Sequence, residues 1–266
     1  MPNYSTLTVQ RPRPGVVLAT LSRPSRLNAI TFEMFEEFHT LCAEVAADER
    51  ARVLVLTGEG RGFCAGLDLE EAALLPGMST VEMMAGQQRW ASAIAGFHRL
   101  PQPVIAAVNG AAAGAGFSLA LAADIRLASP AARFNAAFVR IGLSGGDCGS
   151  SYFLPRLVGA GRAAEILLTG RFVDADEAAS IGLVSRVPPA DSLLDEAFAL
   201  ADSIVANSGF GVRLTKAALT VNVDAPSLES AIDLENRNQV LATRTSDMAE
   251  ALTAFREKRA PVFSGR

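Results

Sequence analysis

RVLVLTGEGRGFCAGLDL, residues 52–69, is the stretch that decides the fold. It begins as a run of Val and Leu, which favours a buried strand, and passes into glycines, which end one. Residues 52–60 therefore read as a strand, with a loop of small residues beyond it. The same order recurs in PVIAAVNGAAAGAGFSLALA, residues 103–122: an apolar strand, a Gly/Ala loop and an apolar helix. Where a strand runs through small residues into a helix, backbone N–H groups at the junction lack partners. Small side chains also let another atom approach that backbone closely. Two such junctions on neighbouring strands can aim two N–H groups at one oxygen, which makes an oxyanion hole. The same residues also suit a helix packed tightly on a sheet, and either loop alone has that reading. The second loop lacks the glycine spacing and strand context of a dinucleotide fingerprint.

Outward from these loops, GVVLATLS (15–22) and DIRLAS (124–129) read as further strands, and LVSRV (183–187) as a fifth. Between the first two strands Thr31 looks like an N-cap, followed by Phe35, Phe38, Cys42 and Val45 at helical spacing. Further helices are expected at 80–99, 115–123 and 159–168. Strand–helix alternation through residue 187 argues an α/β core with mainly parallel strands. After Pro188-Pro189 only helical patterns follow. The chain is thus expected to comprise a core over 1–190 and a helical region over 191–266.

Half of the 266 residues are hydrophobic and a fifth are charged, enough for a large core and too apolar for global disorder. A net charge of −4 gives no field that would gather nucleic acid. No apolar run approaches the ~18 residues of a membrane span. The opening MPNYSTLTVQRPRPGVV lacks the apolar run of a signal peptide. Cys42, Cys64 and Cys148 share no ligand or disulfide spacing, so reduced thiols and a cytoplasmic setting are expected. His39 and His98 have no cluster around them, so no metal is expected and both read as structural. Cys64 reads as packing.

The two loops, in this order, are joined by RPSRLNAI (23–30), ILLTGRFVDADEAASIGLVSRV (166–187) and AFREKRAPVFSGR (254–266). Together they resemble the crotonase superfamily, the enoyl-CoA hydratase/isomerase family, over nearly the whole chain. The resemblance implies an α/β fold with a ββα spiral core and a helical C-terminal trimerisation region. A homotrimer or dimer of trimers is the implied assembly. It implies an acyl-CoA thioester as substrate, with no separate cofactor because coenzyme A is part of that substrate. By motif match, the backbone N–H groups of Leu67 and Ala115 would hold the thioester oxygen. Arg26, Ala29, Ala65, Asp68 and Leu69 would line the CoA path, and Lys258 and Phe263 would meet its nucleotide end. The loop 69–84 would shape the acyl pocket.

Family hydratases use two glutamates to manage one water. Here Ser118 and Phe138 stand at those places, and neither is a base at neutral pH. Ser118 is expected to line the helix or touch the substrate, and Phe138 to form an apolar wall. RIGLSGGDCG (140–149) is similar to the region that carries a catalytic aspartate in phenylacetate-pathway enoyl-CoA isomerases, with one residue inserted before Asp147. Asp147 is therefore the candidate acid/base. The competing reading makes it an N-cap that accepts from Gly149 or Ser150. One carboxylate suits moving a proton between two carbons; adding water usually takes two. Double-bond isomerisation is the resulting expectation. A 2-enoyl-CoA hydratase and a non-catalytic acyl-CoA-binding protein are the alternatives.

Overall fold

A computed structural model describes residues 4–265. Strands β1 (Leu7–Arg13) and β2 (Val16–Leu21) pair antiparallel. Helix α1 (Phe32–Ala47) follows, its Thr31 hydroxyl accepting the Met34 N–H at 3.1 Å as the sequence foresaw. Three strand–strand–helix turns come next. In the first, β3 (Val53–Gly58) and β4 (Gly62–Cys64) lead to α2 (Leu69–Ala72) and α3 (Thr80–Arg99). In the second, β5 (Val104–Val108) and β6 (Ala111–Ala113) lead to α4 (Ala115–Ala122). In the third, β7 (Ile125–Ala128) and β8 (Arg133–Asn135) lead to α5 (Ser150–Val158) and α6 (Ala160–Thr169). β9 (Val173–Asp174) and α7 (Ala175–Ser180) close this part. The C-terminal helices are α8 (Leu193–Val205), α9 (Gly209–Asn222), α10 (Leu228–Ala242) and α11 (Ser246–Glu257).

The long strands form one sheet in the order β1-β2-β3-β5-β7, parallel from β2 onward. The short ones form a second sheet, β4-β6-β8-β9, with β9 antiparallel. Each spiral turn therefore leaves one sheet, crosses to the other and returns by helix. A parallel sheet covered on both faces needs apolar residues at every position, and β3 and β5 are buried throughout. Leu54, Leu56 and Ala106 face a cluster that includes Phe38 of α1 and Phe97 of α3. Val53, Val55, Ile105 and Ala107 face Leu193, Ala197 and Ala201 of α8. The helical segment after the two prolines thus begins by supplying the last layer of the core. Among the described residues no helix is long and apolar enough to cross a membrane.

Two strand readings change. LVSRV, 183–187, is not a strand: only Arg186 bridges, to Leu127. Leu183 and Val184 turn inward as core residues between the Gly182 turn and the prolines, leaving too few residues for a ladder. β1, which no apolar pattern announced, is an edge strand, mostly exposed, where Pro12 costs no ladder bond.

The C-terminal tail is pinned by Asp247. Burial pushes this carboxyl up, but donors outweigh it and hold it below the usual carboxylate range: Ser208 Oγ at 2.7 Å, Ser264 N at 2.8 Å and Gly265 N at 3.1 Å. A depressed carboxylate contributes stability above its unfolded value, about 3.9, and loses it as pH falls through the folded value. Asp247→Asn should therefore lower Tm at pH 7 by on the order of 5 °C. Calorimetry from pH 7 to pH 3 should show that gap shrinking toward acid.

Candidate active site

The first loop is fastened before it reaches Leu67. Asn28 is fully buried, and its Nδ2 donates to the carbonyls of Glu59 at 2.9 Å and Gly62 at 2.8 Å. Its Oδ1 accepts the Arg23 N–H, so RPSRLNAI is stapled to the end of β3. Ile30 donates to the Gly66 carbonyl at 2.7 Å and accepts from Asp68 N at 2.8 Å. In such a parallel bridge the residue between, Leu67, turns its own N–H to the other side. Gly66 has φ +94°, and a Cβ there would lie 2.8 Å from the Ala113 carbonyl oxygen and 3.6 Å from Ala115 N. Only glycine allows the two loops to come so close.

The second loop delivers Ala115 in the same way. Gly114, with φ +51° and ψ −124°, sits at the N-cap of α4 and has no side chain to satisfy the first amides. Ala115 is the first residue of that helix, so its N–H has no intrahelical partner. Its φ is not positive, so the methyl where many family members have glycine fits without strain. Among the described residues neither Leu67 nor Ala115 donates its N–H to a protein acceptor. Both line one cavity.

That cavity has a volume of about 690 Å³. Its wall is mainly apolar: Phe35, Leu75, Met78, Met83, Met84, Trp90, Phe138 and Leu143. Trp90 is fixed by stacking on Phe32, ring centroids 4.6 Å apart. The segment 69–84 supplies seven of the lining residues, from Leu69 to Met84, as its place after the first loop led one to expect. Asp147 is the one acidic residue of the lining.

Asp147 sits on a tight turn in which Cys148 (φ +48°) and Gly149 (φ +85°) are both left-handed. Its main chain is held on both sides. The N–H donates to Ser150 Oγ at 3.1 Å, and the carbonyl accepts from Ser150 N at 2.9 Å and from Ser118 Oγ at 3.1 Å. Its Oδ1 accepts from Cys148 N at 2.7 Å and from Gln87 Nε2. Oδ2 accepts no N–H or O–H bond among the described residues. The N-cap reading is thereby corrected: α5 is capped by Gly149 without a side-chain bond, and the Asp147 carboxylate takes no N–H from Gly149 or Ser150. The turn swings the carboxylate one residue back, away from the helix end.

A family model described as enoyl-CoA hydratase/isomerase matches residues 11–266. This chain belongs to the enoyl-CoA hydratase/isomerase family. It is 43% identical over 265 residues to "Probable enoyl-CoA hydratase EchA12" of Mycobacterium tuberculosis, covering 98% of this chain and 93% of that one. It is 38% identical to the 1,2-epoxyphenylacetyl-CoA isomerase of Escherichia coli, covering 95% and 96%. A crystal structure of an enoyl-CoA hydratase from Bacillus anthracis superimposes with a TM-score of 0.93 at 34% identity, covering 98% and 100%. The two sheets with their C-terminal helices are the crotonase fold, and the protein is a family enzyme acting on acyl-CoA.

Against the family's pattern the remaining candidates divide. Ala65, Leu67, Leu69, Ala115, Phe138 and Asp147 line the cavity together. Ser118 does not: it is fully buried and spends its hydroxyl on the Asp147 carbonyl. Where hydratases of the family carry a carboxylate, this enoyl-CoA hydratase/isomerase family member has a prop beneath Asp147. Arg26 is an exposed ion-pair partner of Glu70 at 2.6 Å, and Ala29 is buried and does not line the cavity. Asp68 caps α2 and pairs with Arg23 at 2.8 Å. Burial would raise its pKa, but the Glu70 N–H and the Arg23 guanidinium hold it below the usual range. Lys258 ends α11 and Phe263 lies half-buried in the tail; neither lines the cavity. His98 packs edge-on against Phe153, and burial lowers its pKa. Burial pushes the Cys64 thiol up to about 12, which keeps it inert.

Sequence reading missed Gln87. Thr80, Met83, Met84, Gln87 and Trp90 line the cavity from one face of α3, at spacings of three and four. A long amide between Met83, Met84 and Trp90 was the available signal.

Proposed function

We propose that this enzyme shifts the double bond of an unsaturated acyl-CoA thioester, with Asp147 as the proton carrier. The observation that carries the reading is a single cavity carboxylate with one oxygen that accepts no N–H or O–H bond, in a cavity that also holds two unpartnered main-chain N–H groups. In a 3-enoyl thioester, Asp147 takes a proton from the α-carbon and the electron pair moves to the carbonyl oxygen. The Leu67 and Ala115 amides stabilise that charge as it forms. The protonated Asp147 then returns the proton to the γ-carbon, and the double bond ends conjugated to the thioester. Proton count and charge balance with no co-reactant. Removing an acidic α-proton this way requires the hole, because the enolate is otherwise too high in energy.

Hydration is the competing reading, and the name of the mycobacterial relative points that way. The cavity opposes it, since Ser118 is buried away from it and Phe138 presents a ring where a second carboxylate would stand. CoA esters separate the two. A 3-enoyl-CoA should gain conjugated-enoyl absorbance while crotonyl-CoA keeps its own. Loss of crotonyl-CoA absorbance at a comparable rate would establish hydration instead. Saturable binding of every ester without turnover would make the protein a carrier.

The proposal extends to assembly as a homotrimer or dimer of trimers through the C-terminal helices. There Leu219, Leu228, Val240 and Phe255 are exposed on α9, α10 and α11. Light scattering coupled to gel filtration reads the mass directly.

A further inference from the structure

We infer that Gln87 is a positioning residue for Asp147: its side-chain amide holds Oδ1 so that Oδ2 is the oxygen presented to the acyl chain. This rests on the reading of Asp147 as proton carrier and names how that carrier is aimed. Gln87 lies 60 residues from Asp147 in sequence, on α3, and reaches it across the cavity wall. The other bond to Oδ1 comes from Cys148 N, on the same turn as the carboxylate, and so moves with that turn. The Ser118 and Ser150 bonds fix the Asp147 main chain but leave rotation about its side chain open. Gln87 alone ties the carboxylate to a separate, rigid element. Of its neighbours on that face of α3, Met83 and Met84 carry no N–H or O–H on their side chains, and Trp90 makes no hydrogen bond to the Asp147 carboxylate among the described residues. A bond from a neutral amide to an ionised oxygen is of the stronger, charge-assisted kind.

The test uses three variants of the full chain with 3-hexenoyl-CoA as probe. Gln87→Met keeps the length and apolar fit but loses the N–H. It should lower kcat roughly ten- to a hundredfold with KM within about twofold and Tm unchanged. Gln87→Glu keeps the shape but offers a like charge to Oδ1, so its kcat should fall below that of the Met variant. A role in packing alone predicts the opposite order of tolerance, or a loss in Tm or KM, and either result overturns the inference. Wild-type kcat in Gln87→Met overturns it too. Asp147→Asn separates the two levels: if it abolishes turnover while Gln87→Met keeps wild-type kcat, the positioning role falls and the proton carrier stands. If Asp147→Asn retains turnover, both fall.

Discussion

Asp147→Asn should lose about 10²- to 10⁴-fold in turnover of a 3-enoyl-CoA ester, and with it the exchange of the α-proton for solvent deuterium. The substitution is close to ideal for isolating the base. An amide oxygen in place of Oδ1 still accepts from Cys148 N and Gln87 Nε2, and the main-chain bonds to Ser150 and Ser118 are untouched. Only Oδ2 is exchanged for a group that cannot take a proton at neutral pH. Fold, cavity and ester binding should therefore survive, and a titration of CoA-ester binding should show affinity near that of the wild type. Deuterium uptake at the wild-type rate would remove Asp147 from the chemistry.

Ala115→Pro is the second large effect, and it deletes one atom's function with little else. Proline is tolerated at the first position of a helix because the missing N–H has no intrahelical partner there. Ala115 is the first residue of α4, and Gly114 before it lies outside the right-handed helical region that proline disfavours in its predecessor. Loss of one oxyanion donor costs ~3–4 kcal/mol, or about 10²–10³ in kcat. The loss should fall on kcat more than on KM, because the N–H bonds the oxygen most strongly when it carries charge. Steady-state kinetics with a thermal melt as control reads this out; kcat near wild type would show that the oxygen sits elsewhere.

Much of the frame was legible because long buried strands and capped helices announce themselves. VLVL and VIAAV are apolar at every position, as sheet strands covered on both faces must be, and Thr31 capped its helix as written. The second sheet was not legible. β4, β6 and β8 have three residues each and β9 two, below the length at which any period can be counted. LVSRV has strand composition, but its apolar residues were claimed by the core and its neighbours by a turn and two prolines. In the candidate site, Leu67, Ala115 and Asp147 were singled out by likeness to family motifs, and the structure brings all three to one cavity. Gln87 and the true task of Ser118 could not, since both depend on the spatial path of residues 142–149 between α3 and α4. A hydroxyl buried under a turn and one facing a ligand look alike in one dimension.

The carboxylate of Asp147 has one oxygen tethered and one open, and a fixed single oxygen has a stereochemical consequence. It can address only one side of a planar dienolate. A proton removed by it would go back on the same side, making the allylic transfer suprafacial. Label placed at the departing position would then be partly carried to the arriving one rather than washed out.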